Sequence, residues 1–576
     1  MKEKLQLIRC SGWGIAAEYV LIALCGAAFT LAFPGVDWNF LAWIGAVVPC
    51  LAVLFCSPGG AFLRVFVWSW FWNFTAFFWL REIVVPLPIG MAFTLAPFTA
   101  IWAGVAAWIR KNLEFSPADR LKGVTHCKEL KPFSNAWTGI LFLLGSSGFW
   151  CVTEWIRSWI FTGLPWNLLA ATQWKTTPLI QICEYTGIYG ISFCVILFNM
   201  AIAMTIPHIS GLFRKNKRYW PLSAALLILA FAFISGTFLL IRSSRIQTRP
   251  FRAGVIQCDL TQRRIPVAGQ GEEAVEVCIS LTEQLLKKEF QTMKVSLDRP
   301  SSNPQIPLSV VIWPETAVPA AYRSGSNLAA LYRDNVGKLL TAYKTPLLAG
   351  SLDFEPNPKA PYGFDMTNSA LLIREPGGVI ADKFSKIHLV PFGEYVPYGD
   401  QYPILNKLVG MGRNLRAGER FNPIDLGAGV RAGISICFES VFPFVSRGHR
   451  LNGANLLMIL SNDAWYPTSN EPEQHFANAV FRAIENRLPL LRCGNSSHTL
   501  WIDQCGIVRD TVLPGLHDRG RGEKIFTVQI PESPALTFYS RFGNVFIILC
   551  GFFVFCAIVP ALTNWTLYRL AQGDQQ

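Results

Sequence analysis

Hydrophobic positions follow two unlike patterns along the chain. Up to residue 241 they run in long blocks with few polar interruptions. With one further block near the C-terminus, eight stretches approach the ~20 apolar residues that carry a helix across a bilayer. They lie near 13–33, 40–56, 65–80, 88–109, 136–156, 179–206, 219–241 and 543–563, the second and third being short. Between 243 and 540 the apolar runs shrink and alternate with amphipathic stretches. FRAGVIQ (251–257), LSVVIW (308–313), TPLLAGSL (345–352), AGISIC (432–437) and ANLLMILS (454–461) read as buried strands. Residues 272–294, 326–343 and 471–487 read as helices, and 369–384 as a hairpin turned by Gly377-Gly378. Residues 110–135 and 295–307 read as polar loops. The pattern predicts a membrane domain over 1–242 with about seven spans, an α/β domain over 243–540, and a final span and tail over 541–576.

Composition agrees with a membrane protein. Only 15% of the 576 residues are charged, against about 25% in soluble domains, and the mean hydropathy is +0.32. The 20 Trp, 42 Phe and 14 Tyr exclude a disordered chain. The net charge of +13 is unevenly placed: residues 243–540 hold 31 of the 51 basic and 28 of the 38 acidic residues. The excess therefore flanks the apolar blocks, which points to membrane topology rather than nucleic acid. Lys2, Lys4, Arg9, Arg64, the loop from Arg110 to Lys131, the cluster Arg214, Lys215, Lys217, Arg218, and Arg569 share one side, which should be cytoplasmic. The 243–540 domain then lies outside the cytoplasm. Met1–Arg9 and the first block look like a secretion signal, but seven blocks follow without a convincing cleavage site, so an uncleaved helix is expected. Glu18, Glu154 and Glu184 fall in or beside spans, where a carboxylate is paired, neutral or functional. The 15 Cys show no disulfide framework or zinc spacing, and His388, His475 and His498 read as structural hydrogen-bonding residues rather than ligands.

Three predicted strand ends carry chemistry. VIWPETAVP places Glu315 just past a strand. DKFSKIHLVPFGEYVP carries Lys386 and, eight residues on, Glu394. AGISICFES ends a strand at Cys437, followed by Phe438 and Glu439. A thiol becomes a nucleophile when a base takes its proton and a cation favours the anion. The same cation and the backbone N–H after the thiol can stabilise an oxyanion. Taken singly, a Cys ending an apolar strand is most often a buried small hydrophobe.

The strings W-P-E-T, K-x-H-L-V-P-F-G-E, C-F-E and S-N-D-A-W, in this order over residues 250–530, resemble the nitrilase superfamily. With E-W-I-R-S-W-I-F-T-G-L-P-W-N (154–167), Gln181 and G-I-Y-G (187–190) ahead of them, the chain resembles its membrane-embedded branch, the bacterial apolipoprotein N-acyltransferases. The resemblance implies an αββα sandwich beside a multi-pass helical bundle of about eight spans, with Glu315 as general base, Lys386 as oxyanion-stabilising cation and Cys437 as acylated nucleophile. Glu394, Phe438, Glu439 and Trp465 would support them. It further implies a phospholipid acyl donor, typically phosphatidylethanolamine, and a diacylglyceryl-apolipoprotein acceptor. The enzyme would need no metal or organic cofactor and would act as a monomer. It would sit in the inner membrane, with the catalytic domain periplasmic and both termini cytoplasmic. The alternatives are a membrane-anchored nitrilase-type amidase and a non-enzymatic membrane protein.

Residues 401–418, with Leu405, Leu408, Val409 and Met411, read either as a membrane-dipping lid or as an ordinary helix packed on the sandwich. Trp465 and Tyr466 would shape the acyl pocket or pack as interface aromatics. Three positions depart from the family strings: Phe438 stands where many members have Tyr, Ser497 where the R-x-T-N-x-G-x-S string has Gly, and Glu471 where G-P-x-Q-H begins.

Overall fold

Long apolar runs become helices and short ones become strands, but several boundaries differ from the hydropathy pattern. The computed structural model describes residues 12–114, 136–209, 219–262, 269–298, 306–360, 363–409, 414–496, 498–515 and 518–573. The chain packs as two units, Met1–Leu239 with Asn544–Gln576, and Leu240–Gly543.

Among the described residues, six helices in the first unit and its border are long and apolar enough to cross a membrane: Gly14–Ala32, Leu87–Leu113, Ala136–Arg157, Tyr189–Ile206, Trp220–Ser244 and Val545–Ala571. Three of the eight expected blocks differ from the helices in bounds or continuity. The 40–56 block breaks into a 3-10 turn, Asn39–Leu41, and two helices, Ala42–Gly45 and Val47–Phe55. The longer of these has nine residues, about 14 Å of rise. The 65–80 block belongs to the helix Pro58–Ala76, which begins seven residues earlier at a Ser57 cap, Oγ accepting from Gly60 N, and is not among the six. The 179–206 block opens as two single turns, Thr177–Ile180 and Cys183–Thr186, before the continuous helix starts at Tyr189.

The carboxylates flagged near these spans are engaged within the unit. Glu18 pairs with Arg64 at 2.7 Å. Glu154 Oε1 accepts from Trp150 Nε1 (3.1 Å) and the Leu169 amide (2.8 Å), while Arg157 Nη2 donates to the Trp166 carbonyl (3.0 Å). Both side chains satisfy backbone groups of the irregular segment that follows their helix. Gly145 and Gly148 let the closing helix approach: a Cβ on Gly148 would stand 2.8 Å from the Cys550 carbonyl. Lys2, Lys4, Arg9, Lys131 and the 214–218 cluster lie outside the described residues.

The second unit is two six-stranded sheets face to face. The first contains β1 (Thr248–Gln257), β2 (Val310–Trp313), β3 (Leu347–Pro356), β4 (Phe364–Arg374) and β5 (Val379–Ser385). The second contains β6 (Ile424–Gly427), β7 (Val430–Ile436), β8 (Leu456–Ser461), β9 (Leu490–Gly494), β10 (Leu500–Ile502) and β11 (Val508–Thr511). The chain returns to the first sheet as β12 (Gly522–Pro531), giving orders β12-β1-β2-β3-β4-β5 and β11-β10-β9-β8-β7-β6. In each sheet three central strands are parallel, β1-β2-β3 and β7-β8-β9.

Alternation along β2 shows how the layers form. Val310 and Ile312 face the inter-sheet core with Ile434, Ile436, Met458 and Leu460. Val311 and Trp313 face outward against the helices Gln270–Asp298 and Asn327–Tyr343. The other sheet is flanked by the helices Pro443–Leu451 and Glu471–Asn486. This is the αββα sandwich. Within 401–418, Pro403–Val409 is a seven-residue helix with Ile404 exposed; the side chains of Leu408, Val409 and Met411 lie outside the described residues.

Candidate active site

Carboxyl ends of parallel strands converge where backbone groups are left unpaired and loops can aim side chains. Glu315 stands two residues past β2, on a turn that crowds β3. A Cβ on Gly350 would lie 2.3 Å from the Pro314 carbonyl and 2.6 Å from Glu315 Cα, so only glycine admits this approach. The Ala317 amide donates to the Gly350 carbonyl at 3.1 Å, tying the turn to β3.

Lys386 follows β5 and is 1% exposed. Its ammonium lies 2.9 Å from Glu394 and 3.7 Å from Glu315 Oε1. Asn368, on β4, holds both carboxylates at once: its Nδ2 donates to Glu315 Oε1 (2.8 Å) and to Glu394 Oε1 (2.9 Å). Its carbonyl also accepts from the Lys386 amide at 2.8 Å. Glu394 Oε2 is capped by the Val390 amide at 2.8 Å. Sequence reasoning passed over Asn368. The signal was the polar triplet Thr367-Asn368-Ser369 within β4, just ahead of the apolar run Ala370–Ile373.

Cys437 ends β7 with a left-handed backbone, φ +51°, and begins the 3-10 turn Cys437–Val441. Its thiol feels the Glu315 carboxylate and the Lys386 ammonium together. Burial pushes the thiol well above its ordinary value, the Glu315 carboxylate adds to this, and Lys386 opposes it. Burial also raises Glu315, against Lys386 and the Asn368 amide. Burial would lower Lys386, but Glu394 and Glu315 outweigh it and keep the ammonium charged. The site therefore sets a buried thiol within the fields of a buried carboxylate and a fixed ammonium.

Glu439, fully buried, bridges the two sheets' loops. Its Oε1 accepts from the amides of Ile387 (2.7 Å) and His388 (3.0 Å), and its Oε2 from that of Ile436 (2.7 Å). Burial nevertheless pushes it up to about 7 against those N–H donors. Phe438 packs its ring on Phe442 and His388, at 5.0 and 5.9 Å. Trp465 is 39% exposed, and among the described residues no hydrogen bond or ring contact ties it to Glu315, Lys386 or Cys437.

A second buried network lies behind the cysteine. His475 Nε2 is 3.0 Å from the Cys437 carbonyl and 2.8 Å from Ser440 Oγ, and its Nδ1 is 3.1 Å from Asp463 Oδ1. Arg492 pairs with Asp463 at 2.5 Å. Burial alone would raise Asp463, yet Arg492 and His475 hold it well below the carboxylate range. Donor atoms of Cys437, Asp463 and His475 lie within 4.8 Å of one another, a spacing that could hold a metal ion, but Asp463 and His475 already spend theirs on Arg492, Ser461 and the Cys437 carbonyl. The strings S-N-D-A-W, E-P-E-Q-H and R-C-G-N were visible in the sequence, but not that they meet.

Comparison with known proteins covers both units. The family model described as "Apolipoprotein N-acyltransferase N-terminal domain" matches residues 25–201, and "Carbon-nitrogen hydrolase" matches 268–510. A relative from Geobacter metallireducens named "Apolipoprotein N-acyltransferase" is 30% identical over 548 residues, 92% of this chain and 93% of the relative. One of the same name from Rickettsia bellii is 29% identical over 71% of this chain and 73% of its own length. Among solved structures, Saccharomyces cerevisiae Nit3, of the nitrilase superfamily, is 15% identical and matches 51% of this chain and 95% of its own with a TM-score of 0.32. With both family models matched in order and a relative aligned over nearly its full length, the chain belongs to the apolipoprotein N-acyltransferase family.

Proposed function

We propose that this membrane-embedded acyltransferase moves an acyl chain from a phospholipid to the α-amino group of an apolipoprotein's S-diacylglyceryl cysteine. The observation that carries the reading is the Cys437 thiol, held on a left-handed turn and subject to the opposed charges of Glu315 and Lys386. Cys437 attacks the ester carbonyl as Glu315 takes its proton. The oxyanion is met by Lys386 and the Phe438 N–H. Glu315 then passes the proton to the departing lysophospholipid alkoxide, leaving a thioester. The acceptor amine attacks the thioester and gives its proton to Glu315. The Cys437 thiolate leaves and is reprotonated. Glu394 keeps Lys386 in place, and Trp465 offers a wall to the acyl chain. Phosphatidylethanolamine is the proposed donor, and the protein works as a monomer. The basic loop residues favour an inner-membrane placement with the 243–540 domain in the periplasm and both termini in the cytoplasm.

Intact-mass analysis of the purified full chain with phosphatidylethanolamine tests this. One added acyl group, labile to hydroxylamine and absent in Cys437→Ala, is the expected result. Folded protein without an adduct would overturn the phospholipid donor, and release of ammonia from a small amide would favour an amidase.

A further inference from the structure

A non-glycine residue in the left-handed region is strained and persists only where its surroundings over-determine it. Cys437 is such a residue, φ +51°. Two contacts bracket it: the Ile436 amide donates to Glu439 Oε2 at 2.7 Å, and the Cys437 carbonyl lies 3.0 Å from His475 Nε2. The second contact matters more for the chemistry. A trans peptide unit is planar, so the carbonyl of Cys437 and the N–H of Phe438 point in opposite directions as one rigid group. Whatever grips that oxygen also aims that N–H.

We infer that His475 is a positioning residue: its Nε2–H holds the Cys437 carbonyl and so aims the Phe438 N–H at the oxyanion of the reacting carbonyl. A carbonyl only accepts, so this grip is made with the proton on Nε2. The ring has little freedom. It is 1% exposed, with Asp463 Oδ1 3.1 Å, Arg492 Nη2 3.4 Å and Glu471 Oε1 3.7 Å from Nδ1, and Ser440 Oγ 2.8 Å from Nε2. Asp463 is anchored in turn by Arg492 at 2.5 Å and by Ser461 Oγ at 2.6 Å. The grip on the nucleophile's turn thus runs from β8 and β9 through one imidazole.

The inference rests on the acyl-enzyme reading and makes a separable prediction. His475→Gln and His475→Met carry side chains of similar length, and only Gln can donate to the carbonyl. Two rates are read on the full chain: hydroxylamine-labile acylation by phosphatidylethanolamine, and alkylation of Cys437 by iodoacetamide, which forms no oxyanion. His475→Met should slow acylation by about 10²-fold, the cost of losing an aimed oxyanion donor, and change alkylation by less than about 3-fold. His475→Gln should stay within about 10-fold of the parent in acylation. Equal losses in both rates, or no loss in His475→Met, would overturn the inference. If only the Gln variant folds it decides alone, a ~10²-fold acylation loss overturning the idea. A parent protein that never acylates would instead sink the acyl-enzyme reading.

Discussion

The loops of the first sheet hold Glu315, Lys386 and Glu394 by pairing opposite charges, with Asn368 hydrogen-bonded to both carboxylates. The loops of the second sheet hold Cys437 differently. They fix a strained backbone through hydrogen bonds to its carbonyl and to the preceding amide. One half is built on electrostatics and should respond to charge and pH. The other is built on conformation and should respond to the shape and donors of its neighbours. Glu439 joins them, because a carboxylate of the second half caps amides that follow the lysine of the first. Buried charge can be tuned only where partners are close, and a nucleophile's direction only where the backbone is rigid, so the two tasks fall to different sheets.

Breaking the charged half should have the largest effect. Glu315→Gln removes the base and should lower the acylation rate by about 10²–10⁴-fold, and Lys386→Met by about 10²–10³-fold, in single-turnover assays with folded protein. Asn368→Leu keeps both carboxylates but strips their shared donor. Acylation should fall by roughly 10-fold, about 1.4 kcal/mol. Its pH profile should shift upward, because losing the hydrogen bond raises Glu315 further and the base ionises later. An unshifted profile would show that Asn368 only packs.

Gly350→Ala tests whether the close approach of β3 places Glu315. The methyl would meet the Pro314 carbonyl and Glu315 backbone. A stability loss of about 1–3 kcal/mol is expected on denaturation, together with slower acylation. Glu439→Gln tests the bridge. A donor amide would face backbone N–H groups, costing about 1–3 kcal/mol. The wild type should also lose stability as pH rises from 4.5 through about 7, because the buried acid is raised in the folded state. Removing the titrating group should flatten that window, and an unchanged slope would assign it to other groups. Phe438→Tyr should have the smallest effect, within about 3-fold in acylation rate, since the proposed oxyanion donor is the backbone N–H and not the ring.

Strands β1, β2, β3, β7 and β8 were legible because each is an apolar, β-branched run between polar breaks, and the hairpin because paired glycines turn it. Strands β6 (IDLG) and β11 (VRDT) escaped because polar residues break so short a run, and β10 (LWI) because three residues are too few to show a pattern. Strand β9 was hidden by Arg492, whose charge looks like a loop until Asp463 neutralises it. The first-half charges stood at strand ends in recognisable strings. Asn368 did not, since its value lies in two partners 53 and 26 residues away.

The membrane character, the alternation that builds a sandwich, and the strings carrying Glu315, Lys386 and Cys437 were determined by the sequence itself. They depend on local hydrophobic period and on residue type, which any reader of the chain can inspect. The tertiary structure alone decided that Asn368 bridges two carboxylates, that Glu439 ties one loop to another, and that His475 grips a carbonyl 38 residues away. Those contacts arise where loops of different strands meet, within one sheet or between the two, and a hydrogen bond set by such a meeting leaves no period in the sequence.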